Sequence, residues 1–485
     1  MRTLGTCDEI GALYDLLVIG AGPAGMSAAT RASKSGATVL LADENPGLGG
    51  QIYRGITSTP VQNRDLLGES YWKGAGIAEA FTASSSDYIA RCTVWSVERA
   101  GKEGQDSFIA NLTSKGRTVT VEAKQVILAT GALERPFAVP GWTLPGVMTA
   151  GAAQIAMKSS GLVPAGPTVV AGSGPLLYLV ATQLKAAGAN IVAILETGAL
   201  RDIARGLRHL PEFLTSPYFG YGLRLLMKAQ RDFSIMRGVS DLRIEGEDRA
   251  SAVRFSIKGR ERSIKCDTVL LHHGVIPNIN MANALGCAQH WSQEQQAWLP
   301  TVDENFQSTI PGLAIAGDGS AIAGADSAAV KGAIAAVAAL DRLGMRSGDT
   351  NVEDARLRRD LARYSRGRAF LDYIYSPSRD YVVPRHDDTI VCRCEEVTAG
   401  QIRQTIRELD VRGPNQLKAY LRCGMGPCQG RLCGPTVTAV MADARGESPE
   451  TIGHYRNRIP VKPITVGELA QSPQSESAIK AVVRG

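Results

Sequence analysis

The sequence has no apolar run approaching the ~18 residues that a membrane-spanning helix needs, so we expect no membrane span. It also lacks an apolar signal core near its start, which favours a cytoplasmic location, with peripheral attachment to the inner membrane as the alternative. The chain has little excess of either charge: 53 basic and 47 acidic residues leave a net charge of +6 over 485 residues. That charge is too dilute to indicate nucleic-acid binding, which usually shows a concentrated basic stripe. The hydrophobic content of 44% is typical of a folded protein, here of about three domains.

Cysteine is sparse over most of the chain and concentrated near its end. Cys7, Cys92, Cys266 and Cys287 are scattered and are expected in the core. The other five lie in one stretch: Cys392, Cys394, Cys423, Cys428 and Cys433. A secreted disulfide protein spreads its pairs through a short chain, whereas one dense cluster in a cytosolic protein predicts a metal or iron–sulfur centre.

A strand, a glycine loop, a helix and a second strand follow one another twice, over 14–42 and over 167–195. In each unit a short apolar run suits a strand buried on both faces of a parallel sheet, and the hydrophobic period then becomes helical. This order is typical of βαβ units, so we predict an α/β fold with two Rossmann-like dinucleotide-binding domains. Further strands are expected at 125–129, 268–271 and 312–316, and a helix of small residues is expected at 323–340.

The first glycine loop predicts nucleotide binding. It reads Gly20-Ala-Gly22-Pro23-Ala24-Gly25. Gly20 permits the tight turn, Gly22 lets the backbone approach a pyrophosphate, and Gly25 allows close helix–strand packing. The helix N-terminus adds free N–H groups and a partial positive charge. Asp43, at the end of the next strand, is expected to accept the ribose hydroxyls, with Glu44 as the alternative.

Glycines and polar residues at later positions extend this site. They form a second glycine pair, an ATG stretch and a GD pair: Gly49-Gly50-Gln51, Ala129-Thr130-Gly131 and Gly317-Asp318. In this order the chain resembles, over about 14–345, the two-dinucleotide-fold flavoproteins, which share the FAD and NAD(P) domains of the disulfide reductases. The resemblance implies that these segments close around FAD, with Asp318 at the ribityl or phosphate region.

The second glycine loop departs from the dinucleotide pattern. Gly172-Ser-Gly174-Pro-Leu-Leu177 has a leucine where the third glycine belongs, and we expect its side chain to push the helix away from the strand. Glu196 still holds the position of the ribose acid. The unit is therefore expected either to bind NAD(P) or to be kept for packing or another ligand. Because no closely spaced cysteine pair precedes residue 392, dithiol chemistry is not expected.

The clustered cysteines form tight pairs. Cys392-Arg-Cys394 and Cys428-x4-Cys433 make a four-thiolate site for zinc or a [2Fe–2S] cluster, but Cys423-x4-Cys428 has the same spacing. The segment resembles the bacterioferritin-associated-ferredoxin-like [2Fe–2S] domain, in which a CxC pair, two helices and a second pair after a Gly-rich turn follow in order. The resemblance implies a small helical domain with Cys392, Cys394, Cys428 and Cys433 as ligands. Backbone amides in the turn are expected to donate to the sulfurs, namely those of Gly424, Gly426 and Gly430.

The motifs divide the chain into six expected segments. These are a first FAD-binding part at 1–155, a second nucleotide-binding-like domain at 156–268, a second FAD-binding part at 269–345, a linker at 346–385, the cysteine domain at 386–450 and a tail at 451–485.

The whole chain resembles the A (α) subunits of bacterial hetero-oligomeric opine oxidases, through 49–54, 145–154, 172–177 and 428–431. It is also similar to subunits of proline or hydroxyproline dehydrogenases and of cyanide-forming glycine dehydrogenase. This implies an electron-transfer subunit: a partner β subunit with its own FAD oxidises the C–N bond of octopine, nopaline or a related amino acid. Electrons then pass through flavin and [2Fe–2S] to a respiratory acceptor. The resemblance to some of these relatives also implies three further components: a small γ subunit, FMN at a subunit interface and ATP bound by the α subunit.

Two other classes of protein compete with this interpretation. A self-sufficient NAD(P)H-dependent reductase would need a working second nucleotide site, and an iron-handling or docking protein would need only the cysteine domain. The sequence shows no obvious catalytic constellation. The pair His272-His273, at a strand end, is expected to pack and to form hydrogen bonds.

Overall fold

The structure, a computed structural model, describes residues 1–100, 107–198, 204–346 and 350–473, with the side chains of 350 and 351 excepted. The strands, in chain order, are β1 (Arg2–Thr3), β2 (Leu13–Ile19), β3 (Val39–Ala42), β4 (Asp87–Ile89), β5 (Thr93–Ala100), β6 (Ser107–Ser114), β7 (Arg117–Leu128), β8 (Ala132–Glu134), β9 (Val147–Thr149), β10 (Thr168–Ser173), β11 (Ile191–Glu196), β12 (Ile235–Arg237), β13 (Val239–Glu245), β14 (Ala252–Ile257), β15 (Arg260–Lys265), β16 (Thr268–His273), β17 (Val275–Pro277), β18 (Gln289–Ser292), β19 (Ala297–Pro300), β20 (Leu313–Ile315), β21 (Ile390–Cys392) and β22 (Val397–Thr398).

The α-helices, in chain order, are α1 (Pro23–Lys34), α2 (Arg64–Leu67), α3 (Glu69–Thr82), α4 (Ala150–Ser160), α5 (Pro175–Ala186), α6 (Leu210–Leu214), α7 (Phe219–Asp232), α8 (Asn280–Ala284), α9 (Ala325–Arg342), α10 (Thr350–Ser365), α11 (Arg368–Ile374), α12 (Arg379–Val382), α13 (Ala399–Leu409), α14 (Pro414–Leu421), α15 (Gly434–Arg445), α16 (Pro449–Ile452) and α17 (Val466–Leu469). The strands predicted near 125, 268 and 312 and the small-residue helix near 325 are confirmed. In the described ranges, no helix combines the length and the apolar character that crossing a membrane requires.

The first sheet has the order β1-β4-β3-β2-β7-β6-β5, and β20 pairs with β7. Its central strands β2, β3, β7 and β20 are parallel, and β2 and β3 are buried over nearly their whole length, as their apolar runs predict. Helices α1 and α9 pack together so closely that a Cβ on Gly332 would lie 2.0 Å from the Ala24 carbonyl oxygen. Small residues are therefore required where these two helices meet.

The second sheet has the order β12-β11-β10-β16-β9, and all its pairs are parallel. Strand β9 lies before the boundary expected at 155/156, and most of β16 lies after the one expected at 268/269. Both strands belong to the second sheet, because β16 pairs with β10 on one side and with β9 on the other. The second unit therefore begins before β9 and ends after β16. The antiparallel sheet β13–β15 packs on the core of this second unit.

The segment expected as a linker at 346–385 is largely helical in its described part, through α10, α11 and α12. Leu357, Leu361 and Tyr364 of α10 pack against the main core, so this segment is part of the folded body rather than a loose connection. The cysteine domain has its own core around the β21–β22 hairpin and helices α13–α16.

The chain after 453 returns to the first sheet. Val461 N–H donates to the Trp95 carbonyl at 2.9 Å, and the Lys462 ammonium pairs with Glu44 at 2.6 Å. Of the tail predicted at 451–485, residues 474–485 lie outside the described residues.

A buried lysine joins α4 to the loop that follows the second glycine pair. Lys158 is 2% exposed, and its Nζ donates to the Ile52 carbonyl at 2.8 Å and to Gln154 Oε1 at 2.9 Å. Burial lowers the pKa of Lys158 from 10.5 to about 7. The folded protein therefore releases this proton at a lower pH than the unfolded chain does.

This shift predicts a measurable pH dependence of stability. Between pH 7 and pH 10.5 the unfolded state binds the proton and the folded state does not, so the contribution of Lys158 to stability increases as pH rises. Relative to Lys158→Met, the wild type should gain up to about 1.4 kcal/mol per pH unit above pH 7 in thermal unfolding experiments. Lys185→Met, which removes an exposed lysine, is the matched control and should leave the slope unchanged. Equal slopes for the wild type and Lys158→Met would contradict the prediction.

Candidate cofactor sites

The first glycine loop lies between β2 and α1, and its glycines are needed for close backbone approaches. Gly20 has φ +110°, and a Cβ there would lie 2.4 Å from the Ala129 carbonyl oxygen. A Cβ on Gly25 would lie 1.8 Å from the Gly20 carbonyl oxygen and 3.3 Å from Ala129 Cβ. The loop thus presses against the strand end that begins the ATG stretch, with Gly22 as the N-cap of α1.

The second glycine pair lies against this loop. Gly49 N–H donates to the Ala21 carbonyl at 2.9 Å, and a Cβ on Gly50 would lie 2.8 Å from Gly22 Cα. Both residues of the pair have positive φ. Gln51, which follows them, accepts a hydrogen bond from Arg54 Nη2 at 2.9 Å. Two glycine backbones therefore face each other and leave a side-chain-free cradle, which suits a pyrophosphate.

The two candidate ribose acids have different surroundings. Asp43 is 6% exposed: its Oδ2 accepts the Ala21 amide at 2.5 Å, and its Oδ1 accepts both the backbone amide and Nδ2 of Asn45 at 2.7 Å. Burial raises its pKa, and these hydrogen bonds partly offset the rise. Glu44 is about half exposed and pairs with Lys462. Asp43 therefore holds the glycine loop in place, while Glu44 is the more accessible carboxylate.

Two buried groups near Asp43 were not predicted from the sequence. Arg54 is 7% exposed, and its Nε finds no hydrogen-bond partner among the described residues; the same holds for the Tyr88 hydroxyl. Burial lowers the pKa of Arg54, and the charges of Asp43 and Glu44 counteract this. Unpartnered buried donors beside a glycine cradle fit a ligand with acceptor oxygens, so the residues present fit FAD.

The ATG stretch and the GD pair meet at one end of the first sheet. A Cβ on Gly319 would lie 3.5 Å from both the Gly131 nitrogen and Thr130 Oγ1. Asp318 Oδ1 accepts the amides of Ala323 at 2.9 Å and Gly324 at 3.0 Å. This carboxylate therefore also closes the loop that leads into α9.

Lys331 of α9 lies buried beneath this loop and is a third group that the sequence did not reveal. Its Nζ donates to the carbonyl of Ala321 at 2.7 Å, and Ser320 Oγ and the Gly317 carbonyl oxygen lie 3.3 and 3.4 Å away. Burial lowers the pKa of Lys331 to about 8, although the charge of Asp318 opposes the shift. No sequence motif points to Lys331, because it is an isolated lysine in a helix made mostly of small residues.

The second glycine loop is closed on one side by β16, the neighbouring strand of the sheet. A Cβ on Gly172 would lie 1.6 Å from the His272 carbonyl oxygen, and one on Gly174 would lie 3.4 Å from His272 Nε2. Leu177 is fully buried in the main core, so its side chain packs inward in α5. Glu196 pairs with Arg237 at 2.8 Å; burial raises its pKa, and the hydrogen bond from Arg237 opposes the rise.

The histidine pair packs, as expected from its position, but among the described residues only His272 forms a side-chain hydrogen bond, because both ring nitrogens of His273 are buried without a partner. His272 Nδ1 lies 2.7 Å from Glu134 Oε1, and Glu134 Oε2 accepts the Gly151 amide at 3.0 Å. His273 stacks on Phe137 with ring centroids 4.6 Å apart, and burial holds its pKa well below the usual value. This pair therefore braces the junction between the two nucleotide-binding units.

The five clustered cysteines converge in one place. Cys392 ends β21, Cys433 is the N-cap of α15, and the sulfurs of Cys392, Cys423 and Cys433 all lie within 4.8 Å of one another. Cys394 is exposed and Cys428 half-buried, so these two lie toward the surface. A set of thiolates this dense fits a [2Fe–2S] cluster or zinc.

Hydrogen bonds favour the thiolate at Cys392 and Cys428, whereas the pKa values of Cys394, Cys423 and Cys433 are raised. The thiols of Cys423 and Cys433 and the amides of Gly424 and Glu395 stabilise the Cys392 thiolate and lower its pKa to about 2. Cys433 and the amides of Leu432 and Gly430 lower the pKa of Cys428 to about 5. Two of the three glycine amides expected to face the sulfurs thus do so. At the third, Gly426, a Cβ would lie 2.2 Å from Cys394 Cβ, so glycine lets the turn approach Cys394.

The structure also places Cys423 closer to the group than the sequence indicated. It is fully buried beside Cys392 and Cys433, whereas the resemblance assigns Cys394 and Cys428 to the cluster and leaves Cys423 as a neighbour. Cys392 and Cys433 belong to both arrangements.

Two known protein families match this chain, one over the nucleotide-binding units and one over the cysteine domain. Residues 14–339 match the family described as pyridine nucleotide-disulphide oxidoreductase, and residues 390–443 match the BFD-like [2Fe-2S] binding domain. These matches confirm the expected FAD/NAD(P) fold and the iron–sulfur domain.

Similar proteins cover nearly the whole chain. The A subunit of opine oxidase from Agrobacterium tumefaciens (strain Ach5) is 50% identical over 485 residues, which is 99% of this chain and 96% of that protein. The HcnB subunit of hydrogen cyanide synthase from Pseudomonas protegens is 30% identical over 95% of this chain and 98% of that protein.

A solved structure shares the fold. The crystal structure of L-proline dehydrogenase from P. horikoshii has a TM-score of 0.68 at 19% identity, over 96% of this chain and 80% of that chain. Because the sequence match is full-length and both domain types are present in order, the chain belongs to the family of opine oxidase A subunits, oxidoreductases with a pyridine nucleotide-disulphide oxidoreductase fold and a BFD-like [2Fe–2S] domain.

Proposed function

We propose that this chain is the electron-transfer α subunit of a hetero-oligomeric oxidoreductase that cleaves the C–N bond of opines such as octopine or nopaline. The observation that carries the proposal is the 50% identity, over almost the full length, to the A subunit of an opine oxidase. The partner is proposed to be a β subunit with its own FAD, with a small γ subunit as a further component. A cytoplasmic location is proposed with it.

The proposed reaction begins on the partner subunit. The secondary amine of the opine loses two electrons and two protons and becomes an imine. Water then adds to the imine carbon and the C–N bond breaks, which releases an amino acid such as arginine and a 2-oxo acid. FAD, when bound, takes up two electrons together, and a [2Fe–2S] cluster passes them singly toward a respiratory acceptor.

The residues of this chain bind and orient the cofactors. We propose that Gly20, Gly22 and Gly25 hold the FAD pyrophosphate at the N-terminus of α1, where free amides and the helix dipole favour anions. The Gly49–Gly50 pair and the segments 129–131 and 317–318 enclose the rest. Cys392, Cys394, Cys428 and Cys433 are proposed as the cluster ligands.

The function is tested by comparing the chain alone with the chain co-expressed with the other products of its operon. With an artificial acceptor, the chain alone should contain redox-active flavin yet oxidise no octopine, nopaline, proline or glycine. The complex should oxidise an opine. Steady-state opine oxidation by the chain alone would refute its dependence on a partner, and NADH turnover at ~1 s⁻¹ or faster would favour a reductase. Oxidation of glycine or proline by the complex, but not of opines, would identify the related amino-acid dehydrogenases.

Replacing Asp43 should weaken FAD binding less than disrupting the glycine loop. Asp43→Ala leaves the Ala21 amide without its acceptor next to the phosphate position. We expect about tenfold weaker binding of FAD to the apoprotein, measured by flavin fluorescence titration, which corresponds to about 1.4 kcal/mol. Asp15→Ala is the matched control, because Asp15 also accepts a backbone amide, that of Thr38 at 2.9 Å, but outside this loop. If Glu44→Gln weakens binding more than Asp43→Ala does, Glu44 is the ribose acid.

A further inference from the structure

A cleft lies between the first nucleotide-binding unit and the cysteine domain, and no step above uses it. It encloses about 570 Å³ of non-protein space, part of which is open to solvent. One wall comes from β17, α8 and the β18–β19 hairpin, and the other from 430–438 and 454–457. Its mainly apolar and aromatic lining is typical of small-molecule sites.

The aromatic residues form the walls of this cleft. The rings of Trp291 and Trp298 pack edge to face with centroids 5.9 Å apart, and Trp298 packs on His454 at 4.7 Å. Flat faces of this kind favour a planar ring as the occupant.

Several of the unpartnered polar groups of the lining are N–H donors. Asn280 is 8% exposed, and its Nδ2 has no hydrogen-bond partner in the described part of the chain. The indole Nε1 atoms of Trp291 and Trp298 are also buried without partners there. The lining includes Arg431 but, among the described residues, no carboxylate. Buried donors without acceptors suit a ligand that carries carbonyl oxygens.

The cleft adjoins the cysteine group through Tyr455. This ring lies 2.6 Å from where a Cβ on Gly424 or Gly430 would stand, so it fills the space beside the turn that carries Cys423 and Cys428. Tyr455 also lines the cleft, as do Gly430 and Gly434 on either side of Cys433. An occupant would therefore be separated from the thiolates by one layer of residues.

We propose that this interdomain cleft binds a quinone-type electron acceptor, a planar apolar ring whose carbonyl oxygens accept hydrogen bonds from Asn280 and the tryptophan indoles. The inference rests on the proposed function for its electrons. Oxidation of the amine to the imine releases two electrons and two protons, and reduction of a quinone to a quinol consumes two of each. In this proposal the respiratory acceptor is a quinone, and it binds in the interdomain cleft.

The binding test needs neither opine nor partner subunit. Menadione is titrated into the cofactor-loaded full chain, and its dissociation constant is measured by calorimetry. Asn280→Leu, which keeps the branched shape at Cγ but removes the N–H donors, and Trp298→Phe, which keeps a ring but removes the N–H, should each weaken binding five- to tenfold. Trp72→Phe is the matched control, since its Nε1 donates to the Arg64 carbonyl outside the cleft, and it should bind menadione as the wild type does. Unchanged iron and flavin content in all variants shows that they are folded.

Three outcomes would overturn the inference: no menadione binding, equal affinity in the wild type and both cleft variants, or riboflavin phosphate binding that depends on these residues while menadione binding does not. The activity of the assembled complex separates this inference from the proposed function. A complex that oxidises opines with another acceptor while the chain binds no quinone refutes only the cleft assignment. A chain that binds menadione in the cleft, within a complex that oxidises no opine, refutes only the substrate assignment.

Discussion

Protein carrying Gly25→Ala is expected to purify without FAD. The added Cβ would lie 1.8 Å from the Gly20 carbonyl oxygen and 3.0 Å from its carbon, and both are backbone atoms that no side-chain rotation can move aside. Helix α1 must therefore shift away from β2 and the loop. That shift moves the N-terminal amides of α1 away from the phosphate position. The measurement is the visible flavin spectrum per mole of purified protein.

Gly76→Ala is the matched control for this prediction. Gly76 lies inside α3, and a Cβ there would meet no atom within 4 Å. This substitution should keep FAD and raise helix stability by about 1 kcal/mol, because alanine is the better helix former. Gly332→Ala probes the same packing from α9, where the Cβ would lie 2.0 Å from the Ala24 carbonyl oxygen, and it too should lose FAD. A full complement of flavin in folded Gly25→Ala would refute the assignment of this loop.

Cys392→Ser is expected to abolish the iron–sulfur cluster. The Cys392 sulfur lies within 4.8 Å of two other cysteine sulfurs, and hydrogen bonds from Cys423 and Cys433 lower its pKa, so this thiolate is well placed to bind metal. Wild-type protein should contain iron and acid-labile sulfide in equal amounts, and Cys392→Ser should contain neither, by chemical analysis and visible absorption. Cys266→Ser, at an equally buried thiol in the second unit, should keep both.

The same measurement decides the ligand set. Cys428→Ser and Cys394→Ser should lose the cluster, and Cys423→Ser should keep it, if the ligands are those of the BFD-like domains. Loss of iron in Cys423→Ser with retention in Cys428→Ser would instead assign the buried trio of Cys392, Cys423 and Cys433. Zinc in place of iron and sulfide would refute the cluster itself.

Much of the fold could be predicted because its signals are local. The glycine loop at 20–25 follows a strand and opens a helix, and each step appears in neighbouring residues as a change of hydrophobic period. The CxC pair at 392–394 and the later cysteine pair are equally local. The two sheets, the small-residue helix α9 and the cysteine domain all follow from such patterns, and the structure confirms them.

The domain boundaries and several site groups could not be predicted in this way. Strand β16 joins the second sheet because it pairs with β10, about a hundred residues earlier in the chain, and pairing at that distance leaves no periodic trace. Arg54 and Tyr88 approach Asp43 only when the strands and loops are assembled. Their isolated side chains match no motif.

The sequence by itself determined the class of this protein: the order of glycine loops, strand-end acids and clustered cysteines specifies two dinucleotide folds followed by an iron–sulfur domain. Only the tertiary structure decided which carboxylate is engaged by the loop, that Lys331 lies beneath the GD loop, that Cys423 joins the thiol group, and that a donor-lined cleft separates the two domains. The sequence determines the class because backbone geometry and burial repeat over a few residues and are therefore visible in neighbouring positions. Unpartnered donors, shifted pKa values and clefts arise where segments that are distant in the sequence pack together and exclude water. No short stretch of sequence contains the information about such contacts.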